Sequence, residues 1–346
     1  MISVSQHKRR QLSDSVRDCL RDSYRLNVVS LSILSSHSHN SIYKVVDISN
    51  NTYVVKFVPI QKVAGIRVQQ RIESTLLKRG IAIPRTLKNL DGNEYTVDKK
   101  AAQAIIVTEF VPGSVYRNSR HMSSTHLETA ARLLAKIHNF PIPNLPLKFS
   151  SLSSRVRSSA VLYETLAAQA DLLKILPKHL LRAIRQRAEL LDITPLSTDL
   201  ERKESLCVIH GDYAPANMVF SDDKTCHVLD WEHAGIWYWQ YDLFRAVSNF
   251  ASSGRFTAYD SVKNTDDIAF FLSCYFRYRK GIREPELDLL LRMPRLYCLI
   301  DVFPFEGLHN LDFTAMERYI PRSPVALRWW IDHEKFFKEQ VIKSYT

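Results

Sequence analysis

The sequence predicts an α+β chain in two parts, a small β-rich lobe over residues 1–108 and a larger, mainly helical lobe over 109–346. Three observations carry this. Stretches rich in β-branched and aromatic residues crowd the first third, "NVVSLSIL", "SIYKVVDI", "TYVVKFV" and "AIIVTEF". Helical periodicity dominates after Val111. One β island, residues 207–231, interrupts the helical part.

Each element follows from local chemistry. The "SNN" between the second and third stretches signals a hairpin turn. Residues 61–79 read as a helix closed by Gly80. "IAIPRTLKNLDGNEYTV", with its DG turn, and "AIIVTEF" complete a β-β-β-α-β-β order. "VPGS" reads as a connector, with a hinge near residues 108–113. In "SSTHLETAARLLAKIHN", Thr125 and Glu128 suggest a capping box. Leu127, Ala130, Ala131, Leu134, Ile137 and His138 then make a helical stripe. Residues 155–192 and 241–346 read as mainly helical, as in "EPELDLLLRM" and "WWIDHEKFFKEQVIK".

Composition narrows the functional classes. The 346 residues are 45% hydrophobic and 24% charged, as in globular proteins. No apolar run approaches the roughly 18 residues of a membrane span, so no stable membrane insertion is expected. The N-terminus lacks the apolar core of a signal peptide. Five widely spaced cysteines without a CxxC suggest reduced thiols and a cytoplasmic protein. The net charge of +11 is spread out, and no helix-turn-helix, zinc-finger or aromatic RNA-binding pattern accompanies it, so no nucleic-acid partner is expected.

The chemistry concentrates in "CVIHGDYAPANMVFSDDKTCHVLDWEHAG", Cys207 to Gly235. "NMVF" and "CHVLDW" flank the turn-like "SDDKT". Antiparallel pairing about that turn sets Val219 opposite Val228 and Asn217 opposite Asp230. Opposed residues have Cβ atoms roughly 4.5–5.5 Å apart. An amide and a carboxylate at that separation suit Mg²⁺, which keeps its other positions for water and phosphate. Asp212, in the loop feeding the hairpin, can serve as a proton acceptor.

Lys56 lies inside the apolar strand "YVVKFV", where a lysine is uncommon unless at an edge or paired. Glu73, on the following helix, shares the stripe of Ile66, Leu76 and Leu77. The two either pair or snorkel to water.

"HGDYAPAN" has the H-x-D-x-x-x-x-N spacing of the protein-kinase catalytic loop, and "LDWE" sits where such kinases carry a metal-binding Asp. Gly211 and the Trp-Glu after Asp230 resemble the small-molecule branch, the aminoglycoside phosphotransferase and choline kinase family. This resemblance implies a two-lobed protein-kinase-like fold that moves the γ-phosphoryl group of ATP to a small-molecule hydroxyl. It implies Asp212 as catalytic base, Asn217 and Asp230 as holders of Mg²⁺, and a Lys56–Glu73 pair at the nucleotide phosphates. "IIVTEFVPG" resembles the family's hinge, placing adenine at Glu109 to Val111, and Asn40 matches an Asn of its phosphate loop. That loop, "LSSHSHNSIYKV", has no glycine, which motivates the alternative of a catalytically weak kinase-fold binding or structural protein. His138 and Asp242, in "LLAKIH" and "YDL", are expected to be structural, Asp242 as a cap or loop brace.

"DWEHAG" is most similar to choline, ethanolamine and thiamine kinases, favouring such an alcohol over an aminoglycoside or a sugar. Trp237, Tyr238, Trp239, Trp329 and Trp330 offer rings that could cage a quaternary ammonium or simply pack in the core. Trp237 is therefore a candidate acceptor contact, and Glu232 is an acceptor contact, a metal-side brace or a simple surface residue.

Overall fold

The computed structural model describes residues 16–37, 40–98, 102–141, 144, 151–169, 177–191, 205–222, 224–252, 263–300, 317 and 320–346. The chain forms two compact units, one of residues 1–113 with 227–232, the other of residues 114–226 with 233–346.

The first unit is built on a five-stranded sheet. Its strands are β1 (Val28–His37), β2 (Asn40–Asp47), β3 (Thr52–Pro59), β4 (Thr96–Asp98) and β5 (Gln103–Glu109). The order is β1-β2-β3-β5-β4, with every pairing antiparallel. Alternation along β3 sends Val55 and Phe57 to one face and Lys56 and Val58 to the other. Both faces are covered, which explains why Ala104 to Val107 are all buried. Val55, Phe57, Ile105 and Val107 pack with Val16, Leu20 and Tyr24 of helix α1 (16–24). On the Lys56 face, Val58, Ala104 and Ile106 pack with Ile66 of α2 (Val63–Leu77). Helix α1 was not anticipated from the sequence. Its apolar positions 16, 20 and 24 fall one turn apart, but Arg17, Asp18, Arg21 and Asp22 between them mask a three-residue stripe. Residues 81–95 hold no regular strand, since the DG turn places Gly92 at φ +79° and Ile83-Pro84 disrupts a ladder.

The second unit is mainly helical. It contains α3 (Ser124–His138), α4 (Leu152–Gln169), α5 (Lys178–Leu191), β6 (Leu206–Ile209), β7 (Met218–Phe220), β8 (Cys226–Val228) and β9 (Gly235–Tyr238). After these come α6 (Trp239–Phe250), α7 (Thr265–Tyr278), α8 (Glu284–Ile300), α9 (Ser323–Asp332) and α10 (Glu334–Tyr345). Strand β8 runs on into the first unit after Cys226. β6 pairs antiparallel with β9, and β7 and β8 form a second two-stranded sheet. Helix α3 packs on α7, and α6 on α8. The cap of α3 differs from the expected Thr125–Glu128 box. Ser123 Oγ accepts from the His126 N–H at 3.2 Å, and His126 Nδ1 accepts from the Ser123 N–H at 3.1 Å. The first serine able to cap wins, and histidine takes the reciprocal role usually filled by Glu or Gln. Among the described residues no helix is long and apolar enough to cross a membrane.

Candidate active site

In the first unit the site is organised around Lys56. Its ammonium donates to Asp230 Oδ1 at 2.7 Å and to Glu232 Oε2 at 3.0 Å. Burial opposes the charge on Lys56, but the two carboxylates hold its pKa above the ordinary lysine value. Asp230 has φ +58°, a left-handed conformation that costs a non-glycine residue energy and recurs at functional sites. The segment is fixed by the Val228 N–H donating to Ala82 O at 3.0 Å and by Trp231 Nε1 donating to Val228 O at 3.0 Å.

The expected Lys56–Glu73 ion pair is not formed. Lys56 is taken by two carboxylates, whereas Glu73 accepts from Gln69 Nε2 at 2.7 Å, one turn back on α2. Burial pushes the Glu73 carboxyl up to about 7, against the lowering effects of Gln69 and Lys56. A carboxyl largely withdrawn from water and with no cation in contact tends toward neutrality.

In the second unit the loop after β6 is held from below by Asp242 of α6. This carboxylate accepts from the His210 N–H and the Gly211 N–H, both at 2.8 Å, and from His138 Nε2 at 3.1 Å. His138 Nδ1 in turn meets Tyr275 OH at 2.8 Å. The group is completely buried, which is tolerable because each polar atom named has a partner. Burial pushes the Asp242 pKa up, but His138, His210 and the backbone donors bring it below the ordinary value. Asp242 is thus the loop brace expected of it. Gly211 has φ +80°, and a Cβ there would lie 2.3 Å from the His233 carbonyl oxygen. Only glycine fits this turn.

The turn presents Asp212. Its N–H donates to His210 Nδ1 at 3.2 Å. Its Oδ1 accepts from Arg245 Nη2 at 2.8 Å and Nε at 3.2 Å, and its Oδ2 from Asn217 Nδ2 at 3.1 Å. The same amide donates to the Asp212 carbonyl oxygen at 2.8 Å. Burial raises the Asp212 pKa, but the neighbouring Arg245 guanidinium more than offsets it and brings it below the ordinary value, so the group is a carboxylate at neutral pH. An ionised acceptor oxygen at a sharp, braced turn is suited to taking a proton.

At its open end the hairpin differs from the expected pairing of Asn217 with Asp230. The turn forms as read, with Asp222 Oδ1 accepting from the Lys224 and Thr225 N–H groups at 2.8 and 2.7 Å. However, neither Asn217 nor Asp230 lies in a ladder, since β7 begins at Met218 and β8 ends at Val228. Pro215 starts a 3₁₀ turn that closes at Asn217, and the left-handed Asp230 leaves the extended path.

Comparison with known proteins now bears on this arrangement. The phosphotransferase enzyme family matches residues 30–266, more than half of the chain. The chain belongs to the phosphotransferase enzyme family. It is a small-molecule kinase of that family, whose members use ATP. A microcompartment-associated aminopropanol kinase has the same fold, with TM-score 0.61, 16% identity and coverage of 94% of this chain and 98% of that one. A spectinomycin phosphotransferase in complex with ADP and spectinomycin matches with TM-score 0.58, 13% identity and coverage of 94% and 98%. An aminoglycoside phosphotransferase from Alicyclobacillus acidocaldarius matches with TM-score 0.56, 15% identity and coverage of 91% and 94%. No curated protein sequence matches the chain.

The remaining candidates of this phosphotransferase fall as follows. Glu109 ends β5, with its N–H donating to Arg85 O at 2.9 Å, and Val111 follows in the connector. Asn40 opens β2 opposite His37, and its side chain lies outside the described residues, as do residues 38–39 of the glycine-free loop. Glu232 is the second partner of Lys56. Trp237 is not a surface for a ligand. It is fully buried in β9, edge-on to Tyr241 with ring centroids 4.8 Å apart, and Trp239 and Trp330 are buried too. β9 is covered on both faces, so its four residues all face core. Arg245 was missed by sequence reasoning. The signal was available, because a lone arginine on a helix otherwise built for burial needs a carboxylate partner.

Proposed function

We propose that this chain transfers the γ-phosphoryl group of ATP to a hydroxyl of a small molecule, with Asp212 as the base that receives the hydroxyl proton. The observation that carries the reading is the Asp212 carboxylate, ionised and oriented by Arg245 and Asn217 on a loop braced by Asp242. Phosphoryl transfer asks a protein chiefly to position groups and neutralise charge. Lys56, Glu73, Asn40, Glu109 and Val111 are assigned to the nucleotide in the N-terminal lobe, Lys56 as the cation for the phosphates.

Asp230 and Asn217 are assigned to Mg²⁺. The donor chemistry fits, since Asp230 and Glu232 already turn carboxylate oxygens toward a cation, the Lys56 ammonium. When bound, the ion neutralises charge developing on the phosphates. Lys56 orients the nucleotide, Glu232 keeps Lys56 in place, and Asp212 takes the proton.

For the acceptor we favour an amino alcohol of the choline, ethanolamine or thiamine kind. The "DWEHAG" motif and the fold shared with an aminopropanol kinase support this class. An aromatic cage is no part of this assignment, because Trp237, Trp239 and Trp330 are buried.

The test is phosphate transfer from Mg-ATP by purified protein to a panel of choline, ethanolamine, aminopropanol, thiamine and an aminoglycoside. Asp212→Asn should abolish transfer and leave ATP binding intact. Wild-type turnover in that variant would remove the base assignment, and absence of ATP binding by the wild-type protein would sink the whole reading.

A further inference from the structure

We propose that Arg245 is a positioning residue of the reaction, pinning one oxygen of Asp212 so that the other faces the acceptor hydroxyl. This rests on the phosphotransfer reading and adds to it a residue that neither the sequence motif nor the family resemblance assigns.

The geometry is asymmetric. Arg245 Nη2 and Nε both point at Oδ1, at 2.8 and 3.2 Å, and neither donates to Oδ2. A guanidinium that only neutralised charge could take both oxygens side by side, the common bidentate arrangement. Here both arginine donors sit on Oδ1 while the Asn217 amide holds Oδ2, so the carboxylate is fixed at both oxygens and Oδ2 is the less occupied one. Oδ2 carries one further donor, Asn217 Nδ2 at 3.1 Å, and keeps the capacity to accept another proton. The guanidinium is itself oriented at its far end, where Nη1 donates to Tyr241 OH at 3.2 Å.

The support is rigid. Helix α6 is buried at every position but Arg245, whose side chain is 21% exposed. Asp242 and Arg245 are three residues apart and share a face. One helix therefore holds the same loop twice, its backbone through Asp242 and its reactive side chain through Arg245. In the transfer, the acceptor O–H proton passes to Asp212 Oδ2 as the new O–P bond forms and the bond from the γ-phosphorus to the ADP oxygen breaks. A carboxylate free to rotate would present that oxygen only part of the time. Lysine could supply the charge but not the planar fork.

The experiment measures ADP formation by the full chain from Mg-ATP, with water and then ethanolamine as acceptor. It compares wild type with Arg245→Ala, Arg245→Met and Arg245→Lys, and checks folding by circular dichroism. Misplacing a reacting group by about 1 Å costs roughly 10- to 100-fold in rate. We expect kcat to fall by about that factor in all three variants, with KM for ATP within about twofold of wild type. Added guanidinium should restore several-fold activity to Arg245→Ala and none to Arg245→Lys, where the ammonium occupies the space. Arg245→Met keeps the apolar stem and guards against a fold defect. Wild-type kcat in a folded Arg245→Ala or Arg245→Met chain would overturn the positioning role and leave the phosphotransfer reading standing. So would a lowered kcat that guanidinium fails to rescue, because the arginine would then act through structure alone. No ADP from wild type with these or any other acceptor of the panel would overturn the phosphotransfer reading and this inference with it.

Discussion

Replacing Gly211 by alanine should unfold the loop that carries Asp212, and the cost can be worked from the structure. At φ +80° an L-residue pays about 1–2 kcal/mol relative to glycine. The added Cβ would lie 2.3 Å from His233 O and 3.0 Å from His233 C, inside any real contact distance. Relieving that overlap requires backbone movement of the kind that costs about 1–3 kcal/mol in packed interiors. Moving Gly211 also strains the N–H donation to Asp242 at 2.8 Å, a bond to a charged group worth about 1.5–3 kcal/mol. These contributions come to about 2–5 kcal/mol if that bond survives and about 3.5–8 kcal/mol if it is lost. Gly281 is an internal control, with φ +67° and no atom within 4 Å of an added Cβ, so Gly281→Ala should cost only about 1–2 kcal/mol. Urea unfolding of both variants beside wild type reads the difference as a lower midpoint, by about 1 M for Gly211→Ala. Equal midpoints for the two alanine variants would refute the steric argument, leaving only the conformational cost.

Three further outcomes are expected. Asp242→Ala strands the buried His210 and Gly211 N–H groups and should lower stability by about 3–5 kcal/mol, read by the same melts, with Asp242→Asn milder. Lys56→Met leaves Asp230 and Glu232 facing each other without their cation. A loss of about 1–2 kcal/mol is expected, discounted because Asp230 is 36% exposed, together with weaker ATP binding by calorimetry. Glu73 titrates near 7 in the fold and near the ordinary carboxylate value when unfolded, so its charge destabilises the native state increasingly as pH rises from about 4.5 to about 7. Glu73→Gln should therefore be more stable than wild type at pH 8, with the advantage shrinking as pH falls through that window. A pH-independent difference would contradict the assignment.

Much of the fold was legible because its signals are local. β-branched runs and the SNN turn located the first strands, and alternation around Lys56 is visible in "YVVKFV". The loop that carries Asp212 was legible through its spacing. What stayed hidden depends on choices between competing partners. Sequence puts Lys56 within reach of Glu73, but not that Asp230 and Glu232, 174 and 176 residues away, would take it first. It marks Asn217 and Asp230 as polar ends of a hairpin, but not that a 3₁₀ turn and a left-handed residue lift both out of the ladder. It shows many aromatic side chains without saying which of them the core will claim.

The first unit is not a continuous piece of chain, and this has a consequence for how the protein is made. Residues 227–232 complete a unit that otherwise ends at residue 113. On the ribosome, Lys56 is made 174 residues before Asp230. At about 5–20 residues per second, that interval is roughly 10–35 s. Through it, the nascent sheet carries a lysine whose two native counter-ions do not yet exist. A fragment stopping at residue 113 would remain permanently in that state, and so would any chain stopped before residue 230.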